Sequence, residues 1–188
     1  MPASVNTVSR SSGIRSAHAS SIAELPVAIF IMFMILLLPL IDLSVIAYRT
    51  SFIHSACHNA VHSAARAKTF KENGSNGELS SINIAKRDAL ATKANGLAGV
   101  NFSDSDVTVV IIGTPTKVGK PAVRTSQPLQ TVEQKDYLYQ LEVQVTGTVD
   151  PLITLSDNLF GQVPGLTIPF PVTATYRQFS EHPSGLAK

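Results

Sequence analysis

The apolar residues of this chain are gathered in one place. From Leu25 to Ile41 the sequence reads LPVAIFIMFMILLLPLI without a charge, and after Asp42 the stretch LSVIAY carries the apolar character on to Tyr48. As a helix rising about 1.5 Å per residue, Leu25–Tyr48 is roughly 36 Å long, enough to cross a hydrocarbon core of about 30 Å. No polar stripe interrupts it before Asp42, as one would on the surface helix of a soluble protein. The pattern predicts a transmembrane helix. A cleaved secretory signal has a shorter apolar core followed by small residues such as Ala-x-Ala, and nothing of that kind follows Ile41 before the polar helix resumes. A buried core helix would need more surrounding protein than a chain of 188 residues offers.

Either side of this run the pattern changes. Residues 1–19 are rich in Ser and Ala, lack acidic groups and show no apolar periodicity, which predicts an irregular leader. After the run, RTSFIHSACHNAVHSAARAKTF contains no Pro or Gly. Ile53, Ala56, Ala60, Ala64 and Ala67 recur at helical spacing and make one small-residue face. One long helix from about Ala23 to Phe70, bent near Pro39, is expected. ENGSNGE reads as a loop, and Leu79–Ala94 as a second helix with Leu79, Ile82, Ala85 and Ala89 inward and Asn95-Gly96 as its cap.

Strand patterns follow. Val107–Ile112 is a β-branched run, Tyr137–Val149 alternates Leu141, Val143 and Val145 against Gln140, Glu142 and Gln144, and Val172–Phe179 is a third candidate. The Pro- and Gly-rich stretch 113–130 reads as a long loop. The stretch 150–169 reads as a crossover or loop, and its Leu, Ile and Phe residues suit either a membrane surface or the domain core. The expected architecture is α+β: a long N-terminal transmembrane helix continuing into a small exported domain, with a second helix and an antiparallel sheet of about three strands. The divisions are a leader at 1–19, the membrane helix at 20–49 and an extracytoplasmic domain at 50–188.

Composition narrows the function. The formal net charge is +2 and there is no Trp, so the footprint of a nucleic-acid binder is missing. Charged residues make up 15%, and the low figure traces to the apolar run. The single cysteine excludes an intrachain disulfide framework. No P-loop, Gly-x-Ser-x-Gly, His-Glu-x-x-His or dinucleotide fingerprint occurs, so no enzymatic activity and no cofactor are expected. Asp104 and Asp106, in SDSD before a strand, read as a turn. Basic residues flank both ends of the run, and the charge rule for orientation gives no clear answer. The short N-terminal side favours a cytoplasmic N-terminus and an exported C-terminal part, in a single pass.

Three sets of residues carry candidate function. Glu24 stands at the head of the run, where the positive end of the helix dipole would lower the cost of its charge. Asp42 falls near the far end, where a carboxylate reaches interfacial water, or a polar partner in an assembly. Pro39, three residues earlier, would weaken the helix and aim its outer half. His54, Cys57, His58 and His62 lie at one-turn spacing, a set able to bind zinc or copper, or simply the polar flank of a helix. Cys57, having no partner in the chain, could also form an intermolecular disulfide.

The order of these features resembles the TadE-like family, pseudopilin-like proteins of tight-adherence (Flp) pilus systems. The residues that carry the resemblance are Ala-Ser-Ser-Ile-Ala-Glu24 before the run, Pro26, Pro39, Asp42 and Tyr48, the segment HNAVHSAARA, and VPGLTIPFPVTATYRQF with EHPSGL near the end. It covers most of residues 16–186. Ala19 stands where the family usually has Gly, and Leu25 where it usually has an aromatic. The resemblance implies a non-enzymatic subunit of the cytoplasmic (inner) membrane that works with other pilin-like subunits and the pilus assembly machinery. It also implies that a prepilin peptidase cuts between Ala19 and Ser20, leaving Glu24 fifth in the mature chain to pair with a neighbour's N-terminal amine. Two other readings fit the bare pattern: a signal-anchored extracytoplasmic binding module unrelated to pili, and a membrane-tethered metalloprotein using the His/Cys set.

Overall fold

The computed structural model describes residues 14–74, 77–94, 98–154 and 161–187, with side chains from Glu24 onward. The chain divides into two compact units, Met1–Ile41 and Asp42–Lys188. Helix α1 runs from Ile14 to Ala65. It starts inside the segment expected to be an irregular leader and stops five residues before Phe70, the expected end. Pro26 and Pro39 both lie within it.

In the first unit the described part is helix. Its side chains carry the apolar run and are exposed, Leu25 at 60% and Leu36 at 68% for example. Among the described residues, one helix is long and apolar enough to cross a membrane, and only 11% of its most apolar window is buried. The core helix of a soluble protein would be mostly buried, so α1 has the character of a membrane anchor or a signal sequence.

The second unit is an α+β domain. Its core lies between α1 and an antiparallel sheet, with helix α2 (Ser81–Ala94) beside them. The strands are β1 (Val100–Asn101), β2 (Val107–Pro115), β3 (Val123–Thr125), β4 (Tyr137–Val149) and β5 (Phe170–Phe179). β4 is central. β5 pairs along one edge from Gln140↔Phe179 to Val149↔Phe170. β2 pairs along the other from Val107↔Val145 to Pro115↔Tyr137, β1 extends that edge at Val100↔Val149, and β3 lies outside β2.

The sheet thus has five strands, not three. The extra two are β1, of two residues, and β3, of three, too short for any alternation to register. β3 lies inside the stretch expected to be a loop. Lys120 helps hold that stretch, reaching both Glu133 and Asp136 at 2.6 Å. Hydrogen bonds from Lys117 and Lys120 pull the Asp136 carboxyl down to about 2. The caps expected at Asn95-Gly96 lie outside the described residues.

The core follows the two periodicities. Ile53, Ala56, Ala60 and Ala64 of α1 meet Leu141, Val143 and Val145 of β4, and Ala85 and Ala89 of α2 are buried with them. On the opposite face of β4, Glu142 is buried beneath Arg124 and Arg177. Burial pushes its carboxyl up, but the hydrogen bonds from Arg177 and Arg124 outweigh this and the net shift is downward. Ile53 is fully buried beside Gly147 of β4. Ile53→Ala is expected to destabilise the domain by about 2–5 kcal/mol, read from urea denaturation followed by circular dichroism.

Candidate functional site

The side chains singled out by sequence fall at separate places. Ala19 and Ser20 lie within the backbone of α1, and their side chains are outside the described residues. Glu24 is exposed and is the eleventh residue of α1. That corrects the dipole argument, because the field of a helix end fades within its first turn. In the chain as it stands, Glu24 is well beyond that turn.

Asp42 does not reach water. It is 1% exposed, and its Oδ1 accepts hydrogen bonds from the backbone N–H groups of Leu152 at 2.6 Å and Ile153 at 3.1 Å. Its Oδ2 is buried without a hydrogen-bond partner among the described residues. The carboxylate therefore satisfies two amides of an irregular segment that has no ladder to join. Two turns further along the same helix, the Arg49 Nη1 donates to the backbone oxygen of Asp150 at 2.6 Å. The guanidinium leaves no space over Gly99, where an added Cβ would sit 2.7 Å from Nη1. Gly99 also holds φ +92°, which disfavours a side chain independently. Gly99 O in turn accepts from Asp150 N at 2.8 Å. One acid and one base of α1 thus clamp residues 150–153 through backbone groups.

The His/Cys set is split by the fold. Cys57 is fully buried on the sheet side of α1, its Sγ donating to the carbonyls of Val143 at 3.0 Å and Ala174 at 3.4 Å. Burial pushes its thiol up to about 11, against the pull of the Tyr176 and Val145 amides. His54 and His58 lie on the outer flank, edge-on to Tyr176 at ring separations of 6.1 and 5.5 Å. His58 and His62 bring their Nε2 atoms within 3.2 Å. Among the described residues, no three His, Cys, Asp or Glu are placed to hold one metal ion. Helical spacing put Cys57 near the histidines in sequence, but it points about 100° per residue around the axis, onto another face. Its burial equally removes it from disulfide exchange with another chain.

Asp104–Asp106 is a short 3-10 turn, as expected of SDSD. Asp106 Oδ2 accepts from the Ser103 N–H and hydroxyl, both at 2.7 Å. Sequence reasoning missed the Asp42–Leu152 link and the Arg49–Asp150 link. Each joins residues about a hundred positions apart, and a single sequence carries no signal for such pairs. The comparisons do not add to this: no family model, no curated protein and no solved structure matches the chain.

Two predictions follow from these placements. At pH 8 a thiol with a pKa of about 11 is roughly one part in a thousand thiolate, against about one in ten for a thiol at 9.0. Native Cys57 should therefore react with iodoacetamide at least ~100-fold more slowly than in the denatured chain, as measured by mass spectrometry. For Asp42, the Asp42→Ala variant should lose hydrogen-exchange protection at the Leu152 and Ile153 amides and about 3 kcal/mol of domain stability. Asp42→Asn keeps an acceptor oxygen and should retain most of the protection. Unchanged exchange in Asp42→Ala would show that the clamp is unimportant.

Proposed function

We propose that this chain is a non-enzymatic, membrane-anchored subunit of pseudopilin type, TadE-like, which serves in assembling a tight-adherence pilus or a related secretion machine. It sits in the cytoplasmic membrane by a single pass, with its N-terminus inside and its α+β domain outside. The observation that carries the reading is α1 itself. One helix is apolar and exposed over Leu25–Ile41 and then supplies the buried face of an α+β domain from Ile46 to Ala64. Such a helix suits a subunit that packs in the membrane with like helices and presents its domain to partners. The family assignment rests on the order and spacing of the residues that carry the resemblance, not on a matched relative.

On this reading the leader and Glu24 act together. With residues 1–19 attached, Glu24 lies in the helix interior. Removal of residues 1–19 by a prepilin peptidase would make Ser20 the new terminus and bring Glu24 to the fifth position, near the free amine and the unpaired amides of a new first turn. Processing would thus create the electrostatic setting that Glu24 needs to pair with a neighbouring subunit. The histidine flank has no role in this proposal.

The test has two parts. Mass spectrometry of the mature protein should find Ser20 at the N-terminus. Glu24→Ala should abolish or strongly reduce surface pili while the major pilin protein is still made. An intact leader together with normal piliation in Glu24→Ala would overturn the proposal and favour the signal-anchored binding module.

A further inference from the structure

The segment following β4 is held against α1 at three levels, the last being the Arg49–Asp150 bond described above. At the first, Asp42 engages the amides of Leu152 and Ile153. At the second, Ile46 is buried beneath Gly165, where an added Cβ would lie 2.7 Å from Ile46 Cδ1. Gly165 holds φ +87° at that close approach. Asp42 and Arg49, the outermost of these, are seven residues apart, about 10 Å along a helix axis. Among the described residues, the parts of the segment fixed to α1 therefore lie in one band that begins at the residue where the uncharged run ends.

Apolar side chains in and beside this band are nevertheless exposed. Leu152 is 51% exposed, Ile153 41%, Val163 39% and Phe170 38%. From α1 itself, Leu43 at 51% and Tyr48 at 57% are exposed in the same band. Charges are sparse here: between Asp150 and Arg177 the only charged residue is Asp157. The two charged side chains of α1 in the band, Asp42 and Arg49, are turned to backbone groups. Exposed apolar groups in a small protein mark a contact with something apolar.

We propose that Leu152, Ile153, Val163 and Phe170, together with Leu43 and Tyr48, form a collar that rests in the interfacial layer of the bilayer. The inference rests on the membrane-anchor reading of α1 given above. The occupant is lipid rather than a protein partner, for two reasons drawn from position. The band starts where Leu25–Ile41 ends, so it falls at the boundary between acyl chains and headgroups. Its height of about 10 Å lies at the upper end of the 5–10 Å by which interfacial apolar groups penetrate that boundary. Tyr48, an amphipathic ring, is a residue type favoured at this level.

The chain has no Trp, so a single introduced Trp reports alone. The full chain is reconstituted in vesicles of phosphatidylcholine and phosphatidylglycerol, with and without bromine on the acyl chains near the headgroups. Leu152→Trp and Phe170→Trp should each lose roughly half their emission in brominated vesicles. Val118→Trp, at a position that is fully exposed between β2 and β3, should lose none. Phe30→Trp reports on the anchor separately. If Phe30→Trp is quenched while Leu152→Trp and Phe170→Trp are not, the collar is wrong and the anchor stands. If those two emit from an apolar environment only at high protein-to-lipid ratio and without quenching, a second protein copy covers the patch and the lipid proposal is overturned. If Phe30→Trp is not quenched, the anchor reading fails and the collar with it.

Discussion

Ala56, Ala60 and Ala64 put nothing longer than a methyl group between α1 and the sheet, and all three are fully buried. This close approach sets the rest of the domain. It brings Cys57 within hydrogen-bonding distance of carbonyls on β4 and β5, and Ile53 is buried beside Gly147 of β4, where an added Cβ would lie 3.4 Å from its Cδ1. A well-packed interior of this kind resists changes of even one methylene. β4 is paired on both edges, by β2 and β5, and its inward face of Leu141, Val143 and Val145 is buried in the same core as these alanines.

The clamp from Asp42 and Arg49 is a second consequence of the same helix. Both residues lie on its buried side, and both engage backbone rather than each other. A charge buried without hydrogen bonds is expensive, so each needs its partners, and the irregular segment at 150–153 supplies them. The segment gains in turn, since its free amides have no strand to join. The two charges of α1 nearest the uncharged run are thereby folded inward, while Leu152, Ile153, Val163 and Phe170 remain exposed.

The histidines show how a sequence motif dissolves in three dimensions. His54, His58 and His62 lie a turn apart on the flank of α1, two of them edge-on to Tyr176 of β5. Cys57, adjacent in the sequence, is drawn under the sheet by the apolar face to which it belongs. What remains is a polar helix flank packed against an aromatic ring, which needs no ion to explain it. The proposed role in a pilus system draws instead on Glu24 and the leader, where the chemistry of processing and the helix terminus meet.

The uncharged run, the second helix and the three long strands were legible from the sequence because each has a period or a length of its own. Leu25–Ile41 declares itself by length, Leu141, Val143 and Val145 by alternation, and Ala56, Ala60 and Ala64 by 3–4 spacing. β1 and β3 were hidden, since two or three residues cannot display a period. The burial of Asp42, the cover of Arg124 and Arg177 over Glu142, and the separation of Cys57 from its neighbouring histidines were decided only by the tertiary structure. Local pattern reports which face a side chain prefers. Which distant backbone group or charge will stand opposite that face depends on how the chain returns, and the return is set by the packing of the whole domain.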